Sequence, residues 1–224
     1  MKVLTSYIIF LFLISHAAQV LASQSSPDSL LLIWNNQQAA DSVRMEAGLT
    51  YGRENIYKLD RQRLSSMARE ILKLAQASGL SIYEEKAYQL LGGIKYISLQ
   101  YDSAHYSFNQ AKNIASRIGD TRQLSYAYNG LGNTWNAQME LDSAFSTHKK
   151  ALKYARANDD SLLISNSLYN IGLCEMKNHR FEIALEWYEE AQKWRMQLGE
   201  KDKLAHGYRG IGALYIEVFL KAEG

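Results

Sequence analysis

Between residues 41 and 198 the apolar positions recur three or four apart, the spacing that gathers side chains on one face of a helix. Each run is written in the same order: an aromatic residue or Leu, two residues, Leu or Ile, then Gly. It reads Tyr88/Leu91/Gly92, Tyr128/Leu131/Gly132, Leu168/Ile171/Gly172 and Tyr208/Ile211/Gly212. Twelve residues after each of the first three glycines stands Ala104, Ala144 or Ala184, then Phe108, His148 or Tyr188, then Ala111, Ala151 or Ala191. These positions lie forty residues apart, as do Tyr101, Leu141 and Phe181. Stepping back by forty gives Gly52, Leu64 and Ile71, a degenerate first copy, and a second glycine register runs Gly79, Gly119 and Gly199 with Asp159 in the gap. The pattern predicts one pair of antiparallel helices per copy. The Gly and the first Ala would permit close approach at the crossing, the second Ala would meet the following copy, and the large residues would fill the space between.

The predicted helices are a short one at 28–38, opened by Asp28-Ser29, and a first irregular pair at 41–57 and 60–78. Further pairs follow at 82–99 with 102–118, 122–139 with 142–158, and 162–178 with 181–198, before a single helix at 202–221. Second helices should end where Gly119, Asn158-Asp159 or Gly199 can take the left-handed conformation. Asp120-Thr121, Asp160-Ser161 and Glu200 then suit the opening of the next helix.

This order of residues resembles the signature of the tetratricopeptide repeat (TPR), W-x2-L-G-x2-Y followed by A-x3-F. The resemblance covers about residues 41–224. Two features depart from the family: the period is forty rather than about 34, and the proline that closes its second helix is missing. Six added residues lengthen each unit by about 9 Å if helical. The resemblance implies an all-α fold, a right-handed superhelix (α-solenoid) of antiparallel helix pairs. It would comprise a degenerate repeat at 41–80, repeats at 81–120, 121–160 and 161–200, and a final single helix at 201–224, after an N-terminal segment at 23–40. Such arrays need at least about three stacked units, with atypical units at the ends.

The first residues change the picture. Lys2 precedes the apolar run Tyr7–Ile14, and Val20-Leu21-Ala22 offers small or branched residues before Ser23. This is the pattern of a secretory signal peptide at 1–22. An uncleaved membrane anchor is the alternative, because residues 3–22 are nearly long enough to span a bilayer. The expected location is exported, periplasmic or envelope-associated, with no membrane span in the mature chain. The final helix has two readings, a solvating cap or the front of a longer protein, since Phe219 and Leu220 are apolar where a cap's free end would be polar.

Composition removes other classes. A net charge of +2 over 224 residues gives no electrostatic footprint for nucleic acid. One Cys excludes a disulfide framework within the chain, and no His or Cys cluster has metal spacing. Cys174 has no motif partner that would make it a nucleophile and should pack as a small hydrophobe. His148 takes the Phe108/Tyr188 place and should pack between helices. Gly92-Gly93 and Gly130-x-Gly132 resemble phosphate loops only in composition, because they fall within helices. No catalytic constellation and no cofactor motif emerges, so the chain is expected not to be an enzyme.

The TPR resemblance implies a concave groove lined by the first helix of each pair. Carried over position by position, the groove residues are Gln89 and Tyr96 in one copy, with Gly93 between them, and Tyr126, Asn129, Asn133 and Asn136 in the next. Asn166, Tyr169, Leu173, Met176 and Lys177 follow, then His206, Arg209, Ala213 and Ile216. Asn129, Asn133 and Asn136 make an amide stripe at helical spacing, suited either to an extended peptide backbone or simply to solubility. With Lys177 and Arg209 the stripe resembles in part the carboxylate clamp of chaperone-binding TPRs, although Gln89 and Gly93 stand where that clamp has Lys and Asn. The implied ligand is a peptide or protein segment. An exported array of forty-residue repeats with Leu72-Lys-Leu-Ala75 also looks like the sensor region of bacterial two-component regulators. The expected function is therefore a non-catalytic interaction module, with an envelope assembly scaffold, or an enzyme whose site is invisible in sequence, as alternatives.

Overall fold

The computed structural model describes residues 27–199 together with 208, 210–212, 214–216 and 218. The signal-peptide reading of residues 1–22 and the apolar pair Phe219 and Leu220 lie outside these. Among the described residues there is no strand. The chain divides into two compact units, Met1–Gln100 and Tyr101–Gly224.

In the first unit, α1 (Pro27–Asn35) lies against α2 (Asp41–Glu54), which packs on α3 (Arg61–Ala77) and α4 (Ser81–Ile97), and α3 packs on α4. A single apolar core joins them, with Leu30, Met45, Leu49, Leu64, Ile71 and Ile94 among its buried members. Gly52 allows the approach of α4: a Cβ there would sit 2.6 Å from Leu90 Cδ2. Lys86 of α4, itself half-buried, reaches the buried Glu46 of α2 at 2.9 Å.

The second unit holds α5 (Tyr101–Ile118), α6 (Thr121–Ala137), α7 (Leu141–Ala157), α8 (Ser161–Lys177) and α9 (Phe181–Leu198). Each packs on its neighbour in sequence, and α6 also touches α8. Thus α6 packs with α7 and α8 with α9, the helix pairs expected at 122–139 with 142–158 and at 162–178 with 181–198. Of the predicted pair at 82–99 and 102–118, the first helix belongs to the first unit and the second to the second unit. Described residues from 208 to 218 are helical, and Leu214 joins the core formed by Phe181, Ala184 and Tyr188.

The ends of helices follow local chemistry. Asp60, Asp120 and Asp160 accept from the backbone N–H of Arg63, Gln123 and Leu163, each satisfying an orphan donor of the first turn. Gly79, Gly119, Asp159 and Gly199 have positive φ, as the second register requires. The predicted first helices run too long. They stop at Ile97, Ala137 and Lys177 because Leu99, Met139 and His179 also adopt positive φ, at +59°, +63° and +58°. No glycine marks those turns, so the sequence pattern does not announce them.

Candidate protein-binding face

The repeated small residues do what the spacing requires. Ala104, Ala111, Ala144, Ala151, Ala184 and Ala191 are wholly buried. Within the α6–α7 hairpin the ring of His148 lies over Gly132, where a Cβ would come within 2.5 Å of it. Within α8–α9 the ring of Tyr188 lies over Gly172, 2.8 Å from a Cβ there. Gly130 leaves room for the Phe108 ring in the same way. These glycines are crossing points inside helices and offer no phosphate cradle.

First helices of successive repeats are then tied side to side. Arg122 Nε of α6 meets Asp160 Oδ2 at the start of α8 at 2.7 Å, while within the α6–α7 hairpin Thr121 Oγ1 donates to Asn158 Oδ1, just past the end of α7, at 3.1 Å. Burial opposes the Asp160 carboxylate, but the Leu163 N–H and the Arg122 guanidinium outweigh it and hold its pKa below the ordinary value. Deeper in, Asn129 Nδ2 donates to Ser167 Oγ at 3.0 Å while Asn129 Oδ1 lies 3.2 Å from His148 Nδ1. An amide oxygen can only accept, so Nδ1 carries the proton. His148 Nε2 has no hydrogen-bond partner among the described residues. Burial pushes the imidazole pKa down to about 3, keeping the ring neutral. At the far end Lys177 Nζ donates to Asn136 Oδ1 at 2.5 Å.

These ties redistribute the predicted groove residues. Asn129 and Asn136 are buried and spent on bonds to Ser167, His148 and Lys177, so the three-asparagine stripe is not an open surface. Lys177 is engaged by the same bond. Tyr169 is half-buried and its ring is engaged on the α9 side: it lies 5.0 Å from that of Tyr188, and Arg195 stacks over it at 4.7 Å. Met176 joins the neighbouring core and takes the Tyr188 hydroxyl on its sulfur at 3.8 Å. In the first unit Gln89 donates to Glu85 one turn earlier, and Tyr96 is half-buried on α4. Gly93 lies against Ile56. His206, Arg209 and Ala213 lie outside the residues described.

What remains accessible is a smaller patch. Tyr126 and Asn133 on α6 stand forty residues before Asn166 and Leu173 on α8, so the four occupy equivalent places on two touching helices. Each is half-buried. The rows are seven residues apart, about 10 Å along the helix. Arg122 adds a guanidinium 5.7 Å from the Tyr126 ring centroid. The side-chain amides of Asn133 and Asn166 make no hydrogen bond among the described residues, leaving them able to donate and accept.

Cys174 is wholly buried and its thiol is pushed up to about 11 by that burial, which suits packing and not nucleophilic attack. Among the described residues no group of His, Cys, Asp and Glu could hold a metal ion, and no helix is long and apolar enough to cross a membrane. The side-to-side bonds were missed in the sequence because their partners lie 38 to 41 residues apart. Polar residues recurring near the forty-residue step on first helices were the only signal available.

No family profile matches the chain, and no curated protein matches it in sequence. Solved structures share its fold. BtubC (BKLC) from P. vanneervenii superposes with a TM-score of 0.70 at 19% identity, over 93% of this chain and 87% of that one. A Signal Transduction ATPase with Numerous Domains (STAND) protein with a tetratricopeptide repeat sensor, from Pyrococcus horikoshii, gives 0.66 at 14% identity. The match covers 80% of this chain but only 28% of that much longer one. The apo form of RapI gives 0.57 at 11% identity, over 80% and 72% of the two chains. At these identities the likeness is one of fold, that of helical repeats.

Proposed function

We propose that this chain is a non-catalytic module that holds a peptide or protein segment against the first helices of its repeats. The observation that carries this reading is the patch of Tyr126, Asn133, Asn166 and Leu173. It combines two uncommitted amides with an aromatic and an aliphatic surface on a rigid base, the mixture that recognises an extended backbone and one or two apolar side chains. The base is rigid because the side-to-side bonds fix α6 against α8. The structurally similar Pyrococcus horikoshii protein carries a tetratricopeptide repeat sensor, and the leader-like residues 1–22 favour an exported form of the same role.

A random extended-peptide display library screened on the whole chain tests this. Selected peptides should lose about tenfold or more in affinity with Asn133→Arg and Leu173→Arg, a loss of about 1.4 kcal/mol or more. The far-ultraviolet circular dichroism of both variants should be unchanged. Peptides that bind the variants as well as the parent, or no selected peptide at all, would remove the patch from consideration.

A further inference from the structure

The first unit contains a basic cavity of its own. Arg61, Ser65 and Arg69 of α3, with Lys95 of α4 and Ser98 and Gln100 after it, line an open cavity of about 240 Å³. No acidic side chain lines it. Arg61 and Arg69 are exposed and form no ion pair among the described residues. Lys95 is half-buried, its Nζ held by Gln100 Oε1 at 2.8 Å, and Ser98 Oγ is turned back to the Ile94 carbonyl at 2.7 Å.

The cavity exists because this copy departs from the next. Forty residues on, the places of Ser65 and Lys95 are taken by His105 and Trp135. Those rings meet edge to face with centroids 4.4 Å apart and occupy the α5–α6 seam. Tyr101 and Asn109 likewise stand where the first copy has Arg61 and Arg69. Every one of these four changes removes bulk or adds positive charge on the α3–α4 seam. Three cations sharing a cavity without a carboxylate repel one another, and an anion in the cavity relieves that repulsion.

We propose that this cavity binds a tetrahedral oxyanion, as free phosphate or as a phosphate monoester. Two guanidinium groups offer planar forks that match phosphate oxygens, and a lysine adds a point charge. A doubly charged anion satisfies three cations better than a single carboxylate does. The cavity is large enough for a phosphate with an organic substituent.

The test is calorimetric titration of the whole chain with inorganic phosphate, phenyl phosphate and acetate at matched ionic strength. Phosphate should bind saturably, about tenfold or more tighter than acetate. The affinity should fall with added salt, because the lining cations are largely exposed. Phenyl phosphate binding more tightly than phosphate identifies a monoester as the ligand class, and the reverse order identifies the free ion. The doubly substituted Arg61→Gln, Arg69→Gln chain should lose that binding. So should Ser65→His combined with Lys95→Trp, which rebuilds the filled seam of the next copy. If the filled variant does not fold, the exposed arginine pair still decides the matter. Phosphate binding no tighter than acetate, or undiminished in the arginine variant, would overturn the proposal.

Discussion

The two hairpins of the second unit solve the same packing problem with different chemistry. In α8–α9 the ring over the glycine is Tyr188, whose hydroxyl is directed to a methionine sulfur and whose face is covered by Tyr169. In α6–α7 the ring is His148, smaller and polar, held by Asn129 and through it by Ser167 of the next repeat. The first crossing is stabilised by buried apolar area. The second trades part of that area for a polar chain that fixes how one repeat registers on the next. A repeat position is thus a volume to be filled, and its chemistry can vary: here one ring nitrogen, Nδ1, is bonded while Nε2 stays neutral and without a partner among the described residues.

The sharpest test of that contrast is truncation of each ring. Tyr188→Ala removes a side chain that is 1% exposed and should cost about 3–5 kcal/mol. His148→Ala should cost less, about 1–3 kcal/mol, because Asn129 and Ser167 keep their mutual bond. Urea denaturation of both variants measures this, and equal losses would show that the polar chain contributes as much as the extra buried area of the tyrosine ring.

Adding a methyl group probes the same places from the other side. Gly132→Ala and Gly172→Ala should each destabilise by about 1–3 kcal/mol through overpacking, net of the better helix propensity of Ala. The larger loss belongs at Gly132, where His148 ring atoms stand at 2.5 to 2.7 Å from a Cβ and the ring is pinned by Asn129. Thermal melts in which either alanine variant gains stability would mean that the rings are free to move aside.

Much of this was legible in advance. Glycines and alanines in register with the forty-residue step located both crossings and the buried contact positions, since only small residues fit there. His148 was assigned to packing on that register alone. The groove was less legible, for a physical reason. Asn129, Asn133 and Asn136 are alike as a sequence pattern, but whether an amide faces outward depends on Ser167 and Lys177, which only folding brings near. Tyr169 looked like a groove residue for the same reason, but its ring is taken up by contacts with Arg195 and Tyr188.

Acid separates the two hairpins further. His148 has a folded pKa far below that of an unfolded histidine, so protons bind the unfolded chain more readily. Its contribution to stability is complete above about pH 6.5 and is lost as the pH falls toward the folded value of about 3. Between pH 7 and 5.5 the loss should be on the order of 1 kcal/mol. His148→Phe, which carries the Phe108 solution into this hairpin, should abolish that part of the pH dependence while Tyr188→Phe leaves it intact. The difference between parent and His148→Phe stability at the two pH values measures it, and a difference that does not change with pH would place the ring in contact with water.

The turns that close the two hairpins provide the smallest and most even comparison. Met139 and His179 occupy the same left-handed position, forty residues apart, and both are exposed. A side chain there is strained by its own carbonyl, and glycine is not. Each makes one weak contact, Met139 Sδ with Lys177 Nζ at 3.9 Å and the His179 ring with Phe181 at a centroid distance of 5.8 Å. Met139→Gly and His179→Gly should therefore each gain about 0.5–1 kcal/mol, relief of strain exceeding the added freedom of the unfolded chain. Equal gains would confine the difference between the hairpins to their crossings. A gain in one hairpin matched by a loss in the other, read from paired thermal melts, would show that the turns also belong to what distinguishes them.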